Sequence, residues 1–352
     1  MDMSPSWTHK FQESFRDLST LSAFLGWKAP AGVEKIYPVF IPRDLALLMK
    51  EEGPDGILAR EFYPHADELI DQGYLDPIGD KTYHVAPQLI HRYPNRVLFT
   101  ATSICPVHCR YCFRKNELSP NDEIFGQDFE KTIQYLASHP EISEVIFTGG
   151  DPLTLTDHKL DKFLSAFAAI PHIKDIRFHS RYPVILPERI DEEFLSLLNK
   201  WAKHFRTVSL AVHANHVKEF SCQAKSALRL LASSRAQILS QTVLLKGIND
   251  STVALTSLME LFVDHKVRPY YLHHPDQVRG GMHFYLPLEE GRKIYHSLRK
   301  TLPGWAIPQY VIDVPGGHGK LPAFNPETAS FSGHFLTLRG ETVAITEPFA
   351  QV

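Results

Sequence analysis

From residue 96 onward, two hydrophobic periods alternate along the chain. Short runs rich in Val, Ile and aromatic residues occupy 97–103, 144–148, 175–180, 207–213, 237–245 and 267–273, and read as buried strands. Stretches with apolar residues at helical spacing lie between them, over 128–138, 158–168, 191–204, 224–232 and 253–265; another, 288–302, follows the last strand. Strands joined through helices run parallel, since a parallel pair needs a crossover connection. The pattern predicts an α/β fold, closed as an open or partial (β/α)6 TIM-like barrel. A doubly wound sheet is the fold-level alternative. Ligands of a β/α barrel gather at the C-terminal ends of its strands, so residues just past each strand are the first candidates for chemistry.

Residues 1–90 carry a different pattern. Helical spacing appears over 7–25 and 41–51, and Pro54, Gly56 and Pro64 interrupt it. Asp76-Pro77-Ile78-Gly79-Asp80 reads as a turn. Three regions are expected: a helical N-terminal region over 1–90, a β/α core over 91–290, and a short C-terminal extension over 291–352, with a hairpin in 335–352. The role of the first region is not legible from pattern.

Composition narrows the class. The chain has 352 residues, 43% hydrophobic and 22% charged, as in an ordinary globular enzyme. A net charge of -3 argues against electrostatic binding of nucleic acid or of an anionic membrane. No apolar run approaches a membrane span, and residues 1–10 hold no signal core, so a cytoplasmic location is expected. Four cysteines, three of them clustered, are not a disulfide framework.

That cluster is Cys105-Pro106-Val107-His108-Cys109-Arg110-Tyr111-Cys112, past the first predicted strand. Thiolates are soft ligands that serve zinc or iron–sulfur chemistry. A structural zinc site wants four closed ligands. Here only three are local, no second cysteine pair follows, and His108 would strain so short a loop. Three thiols fit a four-iron cluster that keeps one iron open; a thiol-bearing or zinc-holding loop is the plain alternative.

Three further segments follow strands or flank the core. Gly149-Gly150-Asp151-Pro152 lets backbone approach a ligand, or is simply a turn capped by Asp151. His91-Arg92-Tyr93-Pro94-Asn95-Arg96 sets two guanidinium forks beside a phenol, as a phosphate clamp does; a solvated surface turn is the alternative. Asp313-Val314-Pro315-Gly316-Gly317-His318-Gly319-Lys320 is not a Walker loop, for no Ser or Thr follows the lysine. A lysine ending such a loop can form a Schiff base with pyridoxal phosphate (PLP), or be an exposed loop lysine.

The cysteine loop, with Tyr111 before its last thiol, resembles that of the radical S-adenosylmethionine (SAM) superfamily. Together with Thr148-Gly149-Gly150-Asp151-Pro152, His179-Ser180-Arg181, 240–245, Pro269-Tyr270-Tyr271 and the lysine loop, it resembles the lysine 2,3-aminomutase family over roughly residues 85–325. The resemblance implies that Cys105, Cys109 and Cys112 bind a 4Fe–4S cluster and that Lys320 anchors PLP. Arg92, Tyr93 and Arg96 match the segment holding the cofactor phosphate. Gly149, Gly150 and Asp151 match the turn that meets SAM, and His213 and Gln241 line the SAM site. Arg114 matches the arginine for the substrate carboxylate. Asp276 and Asp313 match two acids that receive the distal ammonium of lysine, a pair that relatives acting on glutamate do not keep. Two departures stand out: His318 replaces a frequent glycine, and no C-terminal cysteines offer the family's zinc site for assembly.

The implied activity is L-lysine 2,3-aminomutase, an isomerase interconverting L-α-lysine and L-β-lysine through a 5′-deoxyadenosyl radical. An electron donor such as flavodoxin or ferredoxin is implied, and a homo-oligomer is possible. Two alternatives compete: a related aminomutase on another amino acid or serving elongation factor P β-lysylation, and a non-catalytic metal-binding scaffold. Retention of all three cysteines and Lys320 speaks against the scaffold.

Overall fold

The computed structural model describes residues 6–35, 37–86, 88–116, 129–324, 334–336 and 342–344. Four short helices open the chain: α1 (Trp7–Gln12), α2 (Leu18–Leu25), α3 (Arg43–Glu52) and α4 (Ile57–Phe62). Asp17 and Ser6 cap the first two by accepting from backbone N–H groups, and Gly26 ends α2 in a left-handed turn. Leu21, Leu45, Met49, Leu58 and Phe62 join one hydrophobic core with the sheet, so this region packs on the barrel.

A ten-stranded sheet follows in sequence order: β1 (His84–Ala86), β2 (Leu89–Tyr93), β3 (Arg96–Thr102), β4 (Glu144–Gly149), β5 (Asp175–Ser180), β6 (Thr207–His213), β7 (Gln237–Val243), β8 (Arg268–His273), β9 (Gln309–Val314) and β10 (Gly319–Pro322). Pairing is parallel from β3 through β9 and antiparallel at both ends. The crossover helices are α5 (Phe129–Ser138), α6 (Asp157–Ala168), α8 (Glu192–Trp201), α9 (Cys222–Ala232), α10 (Thr252–Asp264) and α11 (Leu288–Thr301), with a short α7 (Tyr182–Ile185) past β5. Thr156, Asp191, Ser221 and Ser251 cap α6, α8, α9 and α10.

The six predicted strands and the helices between them are present, with ends shifted by up to three residues. The α/β architecture of the radical SAM type holds. The count does not stop at six: β9 is a seventh parallel strand, and β1, β2 and β10 add antiparallel edges. β9 and β10 escaped prediction because Pro and Gly residues crowd their ends. A two-stranded antiparallel pair, β11 (His334–Leu336) with β12 (Thr342–Ala344), falls in the region expected to hold a hairpin. Its turn and the final residues lie outside the described residues, as do residues 1–5 of the expected signal-free start. Among the described residues, no helix is long and apolar enough to cross a membrane.

The N-terminal region contributes more than apolar cover. Glu68, 2% exposed, accepts from Arg110 Nε at 2.8 Å and Nη2 at 2.6 Å, and from Lys115 Nζ at 3.1 Å. It therefore grips the chain on both sides of Cys112. Burial opposes its charge, but the two cations outweigh burial and hold the carboxyl below its ordinary range. A carboxyl depressed in the folded state stabilises the fold above its unfolded pKa, and that contribution is lost as pH falls. Glu68→Ala strands two buried cations and should cost about 3–5 kcal/mol, read as a lowered urea midpoint at pH 7. The loss should shrink as pH is lowered below about 4.5; a deficit that did not depend on pH would show that the pair is not the cause.

Candidate active site

The cysteine loop leaves β3, and its backbone is locked to β4. Gly150 N–H donates to Thr102 O at 2.7 Å and Asp151 N–H to Ile104 O at 2.8 Å. A Cβ on Gly150 would stand 2.4 Å from Ile104 O, and Gly149 adopts a left-handed φ of 107°. Glycine is required there because two chain segments touch. Asp151 caps the following turn through Leu153 N–H at 3.0 Å, and accepts from Ser180 Oγ at 3.1 Å and Arg181 N–H at 2.6 Å. The plain capping reading of Asp151 is thus realised. Burial raises its carboxyl to about 6.

One cavity of about 540 Å³ holds every candidate named from the sequence: Cys105, Cys109, Cys112, Arg114, Gly149, Gly150, Asp151, His213, Gln241, Asp276, Asp313, Lys320, Arg92, Tyr93 and Arg96. Its size suits small-molecule ligands. It runs down the barrel to Glu144 and Gln237 at the N-terminal strand ends.

The three thiols are half-buried in the wall of the cavity. Burial pushes the Cys109 thiol up to about 12 and raises Cys105 and Cys112 as well. Such thiols ionise only against strong positive charge, as a metal provides. In a four-iron cube each thiolate serves a different iron, so the sulfurs need not converge on one ion. His108 turns away: its Nδ1 donates to Pro38 O at 2.9 Å. Cys222, the remaining cysteine, is exposed and apart from the cavity. Arg181 donates to Cys109 Sγ at 3.0 Å and is neutralised by Glu61, at 2.6 Å, and Glu219.

His213 and Gln241 are register partners across β6 and β7. His213 Nε2 meets Tyr111 Oη at 2.9 Å, and burial keeps the imidazole neutral. Gln241 Oε1 is buried with no partner among the described residues, an acceptor left for a ligand.

At the other end, Lys320 and Asp313 are register partners of the β9–β10 hairpin, with Nζ 2.6 Å from Oδ2. The Gly-rich loop is the turn of that hairpin. Gly319 lies at φ 85°, where a Cβ would strike Tyr93 Oη at 2.7 Å. Tyr93 Oη accepts from Lys320 N–H at 2.6 Å, and Arg96 stacks on its ring at 3.8 Å. Arg92 and Arg114 each donate to one oxygen of Asp80, Arg114 at 2.7 Å. Arg92 also faces Asp313 at 3.6 Å. Burial lowers the pKa of the Lys320 amine, the Asp313 carboxylate raises it by more, and the net shift is upward. The same pairing holds Asp313 below its usual range despite burial. Among the described residues Asp276 has no such partner within hydrogen-bond distance. Burial, then the negative Asp313, push its carboxyl up to about 8 against the pull of Lys320.

Sequence reasoning missed Glu61, Glu68, Asp80, Glu219 and any role for Arg181. Arg181 stood in a motif noted above; the acids carry no local signal, their partners lying far off along the chain.

The site and fold define a class. The radical SAM superfamily matches residues 99–257, which implies SAM and a 4Fe–4S cluster. The L-lysine 2,3-aminomutase of Fusobacterium nucleatum is 38% identical over 79% of this chain and 65% of its own length. That of Escherichia coli K12 is 35% identical over 84% of this chain and 85% of its own. The glutamate 2,3-aminomutase of Clostridioides difficile is 32% identical over 85% of this chain and 70% of its own. The chain belongs to the lysine 2,3-aminomutase family.

Asp276 supplies a test of the site's electrostatics. A carboxyl raised in the folded state binds its proton more tightly there, so stability falls as pH rises from about 4 toward its folded value. Asp276→Asn removes that titration. The ligand-free variant should melt above the parent at pH 8, and the advantage should vanish near pH 4. An equal gain at both pH values would mean that Asp276 does not titrate as described.

Proposed function

We propose that this protein interconverts L-α-lysine and L-β-lysine. The observation that carries the reading is the pair Asp276 and Asp313 beside Lys320 in one cavity with the three thiols. An amino acid with a cationic end needs negative charge there, since an unpaired buried ammonium is costly. A glutamate side chain would meet repulsion from Asp313 and would give Asp276 no cation to pair with.

The roles follow from position. Cys105, Cys109 and Cys112 hold the cluster, with Gly149, Gly150, Asp151, His213 and Gln241 around SAM. Lys320 is the amine that anchors PLP, and Arg92, Tyr93 and Arg96 take its phosphate. Gln241 Oε1, an acceptor without a partner, supports the SAM assignment, and the half-buried Lys320 amine supports the PLP one. Bound there, these groups supply the radical and electron-delocalising chemistry that moves an amino group between adjacent carbons. The chain binds, orients and excludes water. Arg114, which donates to Asp80 Oδ2 at 2.7 Å and lines the cavity, pairs with the substrate carboxylate. Asp276 gives up its proton as the cationic end arrives. The electron comes from outside, from a flavodoxin or a ferredoxin.

An anaerobic assay with SAM, PLP and reductant over a panel of amino acids tests the reading. Lysine should turn over fastest; a preference for glutamate would sink the lysine assignment and leave aminomutase chemistry standing. Asp276→Asn should lower kcat/KM for lysine by about 2–4 kcal/mol in barrier terms, with PLP and iron content unchanged.

Single alanine substitutions at Cys105, Cys109 or Cys112 should each abolish SAM cleavage, whereas Cys222→Ala should not. Borohydride reduction and peptide mapping should find the pyridoxyl group on Lys320.

A further inference from the structure

The cavity continues past Lys320 to the N-terminal ends of the strands, where a β/α barrel ordinarily packs layers of branched apolar side chains. Ile146, Arg177, Ser209 and Gln237 are consecutive register partners on β4 to β7, and all four line the cavity. A guanidinium thus stands where a packed barrel would put an aliphatic side chain. Arg177 is buried, and its pose is fixed: Nη1 donates to Tyr270 Oη at 2.8 Å, and Nη2 lies 3.0 Å from a carboxylate oxygen of Glu144. Its Nε is buried with no hydrogen-bond partner among the described residues. A donor left unmade on a buried cation is costly in a closed site, and an anion arriving in the cavity would satisfy it.

A run of contacts joins Arg177 to the anchor lysine. Lys320 N–H donates to Tyr93 Oη at 2.6 Å, and Arg96 stacks on the Tyr93 ring at 3.8 Å. Arg96 is the register partner of Glu144, the acid that holds Arg177. Neighbouring strands lie about 4.8 Å apart, and β4, which carries Glu144, runs between the strands of the two arginines. Two guanidinium groups against one carboxylate leave this end of the cavity positive. Arg92 is engaged elsewhere: it donates to Asp80 and to Ile78 O, at 2.8 Å, and faces Asp313 at 3.6 Å. A phosphate dianion buried here therefore needs a second guanidinium beside Arg96. We propose that Arg177 is a ligand of the cofactor phosphate: with Arg96 it holds the phosphate ester of the PLP anchored at Lys320, at the N-terminal end of the cavity. This rests on the reading of Lys320 as the anchor. Glu144 and Tyr270 aim the Arg177 guanidinium, and its Nε–H is the donor kept for the phosphate.

The probes are PLP and pyridoxal, which has the same ring and aldehyde without the phosphate. Each is titrated into the full chain freed of PLP, and binding is read from the absorbance of the adduct with the protein. The parent should take PLP far more tightly than pyridoxal. Arg177→Gln should weaken PLP by about tenfold to a hundredfold, the worth of one charge-assisted hydrogen bond, and leave pyridoxal within about twofold of the parent. Glu144→Gln keeps Arg177 and removes the carboxylate that competes for it, so PLP should bind more tightly and pyridoxal as before. If Arg177→Gln fails to fold, Glu144→Gln decides, and an unchanged PLP affinity there overturns the inference. Equal losses for the two probes in Arg177→Gln would make the residue a structural one and overturn it too. So would a parent that bound pyridoxal as tightly as PLP, with Lys320 still the anchor. A parent that formed no adduct with either probe would overturn the anchor reading, and this inference with it.

Discussion

Buried pairing of guanidinium groups with carboxylates is the constraint on which the rest of this structure depends. The cysteine loop and its surroundings carry Arg110, Arg114, Lys115 and Arg181, all buried. Cations cannot stay charged in a dry wall unless each has a partner. The N-terminal region supplies three of those partners: Glu61 for Arg181, Glu68 for Arg110 and Lys115, and Asp80 for Arg114 and Arg92. Glu61 and Glu68 come from helical turns and Asp80 from the turn before β1. The region that looked like cover is thus the counter-charge of the site.

The same constraint shapes the far end of the cavity. Lys320 is held by Asp313 across the hairpin, Arg92 bridges toward Asp313 from Asp80, and Asp276 is left as the odd carboxyl. The arrangement pairs its cations without a ligand and leaves one carboxyl raised well above its ordinary range. Ion pairs of this kind fix geometry more than they stabilise, since desolvation offsets much of their attraction. Their value here is that Lys320, Arg92 and Arg114 point in defined directions before anything binds.

Much of the site was legible because its chemistry is concentrated in short segments. Cys105, Cys109 and Cys112 follow one strand, Gly149 to Asp151 another, and Lys320 closes a glycine turn. Each declares itself by spacing. The strand periodicity then places them on one rim. Glu61, Glu68 and Asp80 could not be read this way. Nothing near them in sequence distinguishes them from the solvated acids of any helical stretch, and Glu61 lies 120 residues from Arg181.

The sequence by itself determined the alternation of strands and helices, the thiol spacing and the lysine that ends the glycine turn, because periodicity and local motifs are properties of neighbours along the chain. It stopped at six parallel strands, since β9 and β10 are short and bounded by Pro and Gly. Only the tertiary structure decided that these strands join the sheet, that Lys320 lies against Asp313, and which acid meets which arginine. Those pairings are set by which side chains the folded sheet and helices bury together, and burial, unlike spacing, is a property of the whole fold.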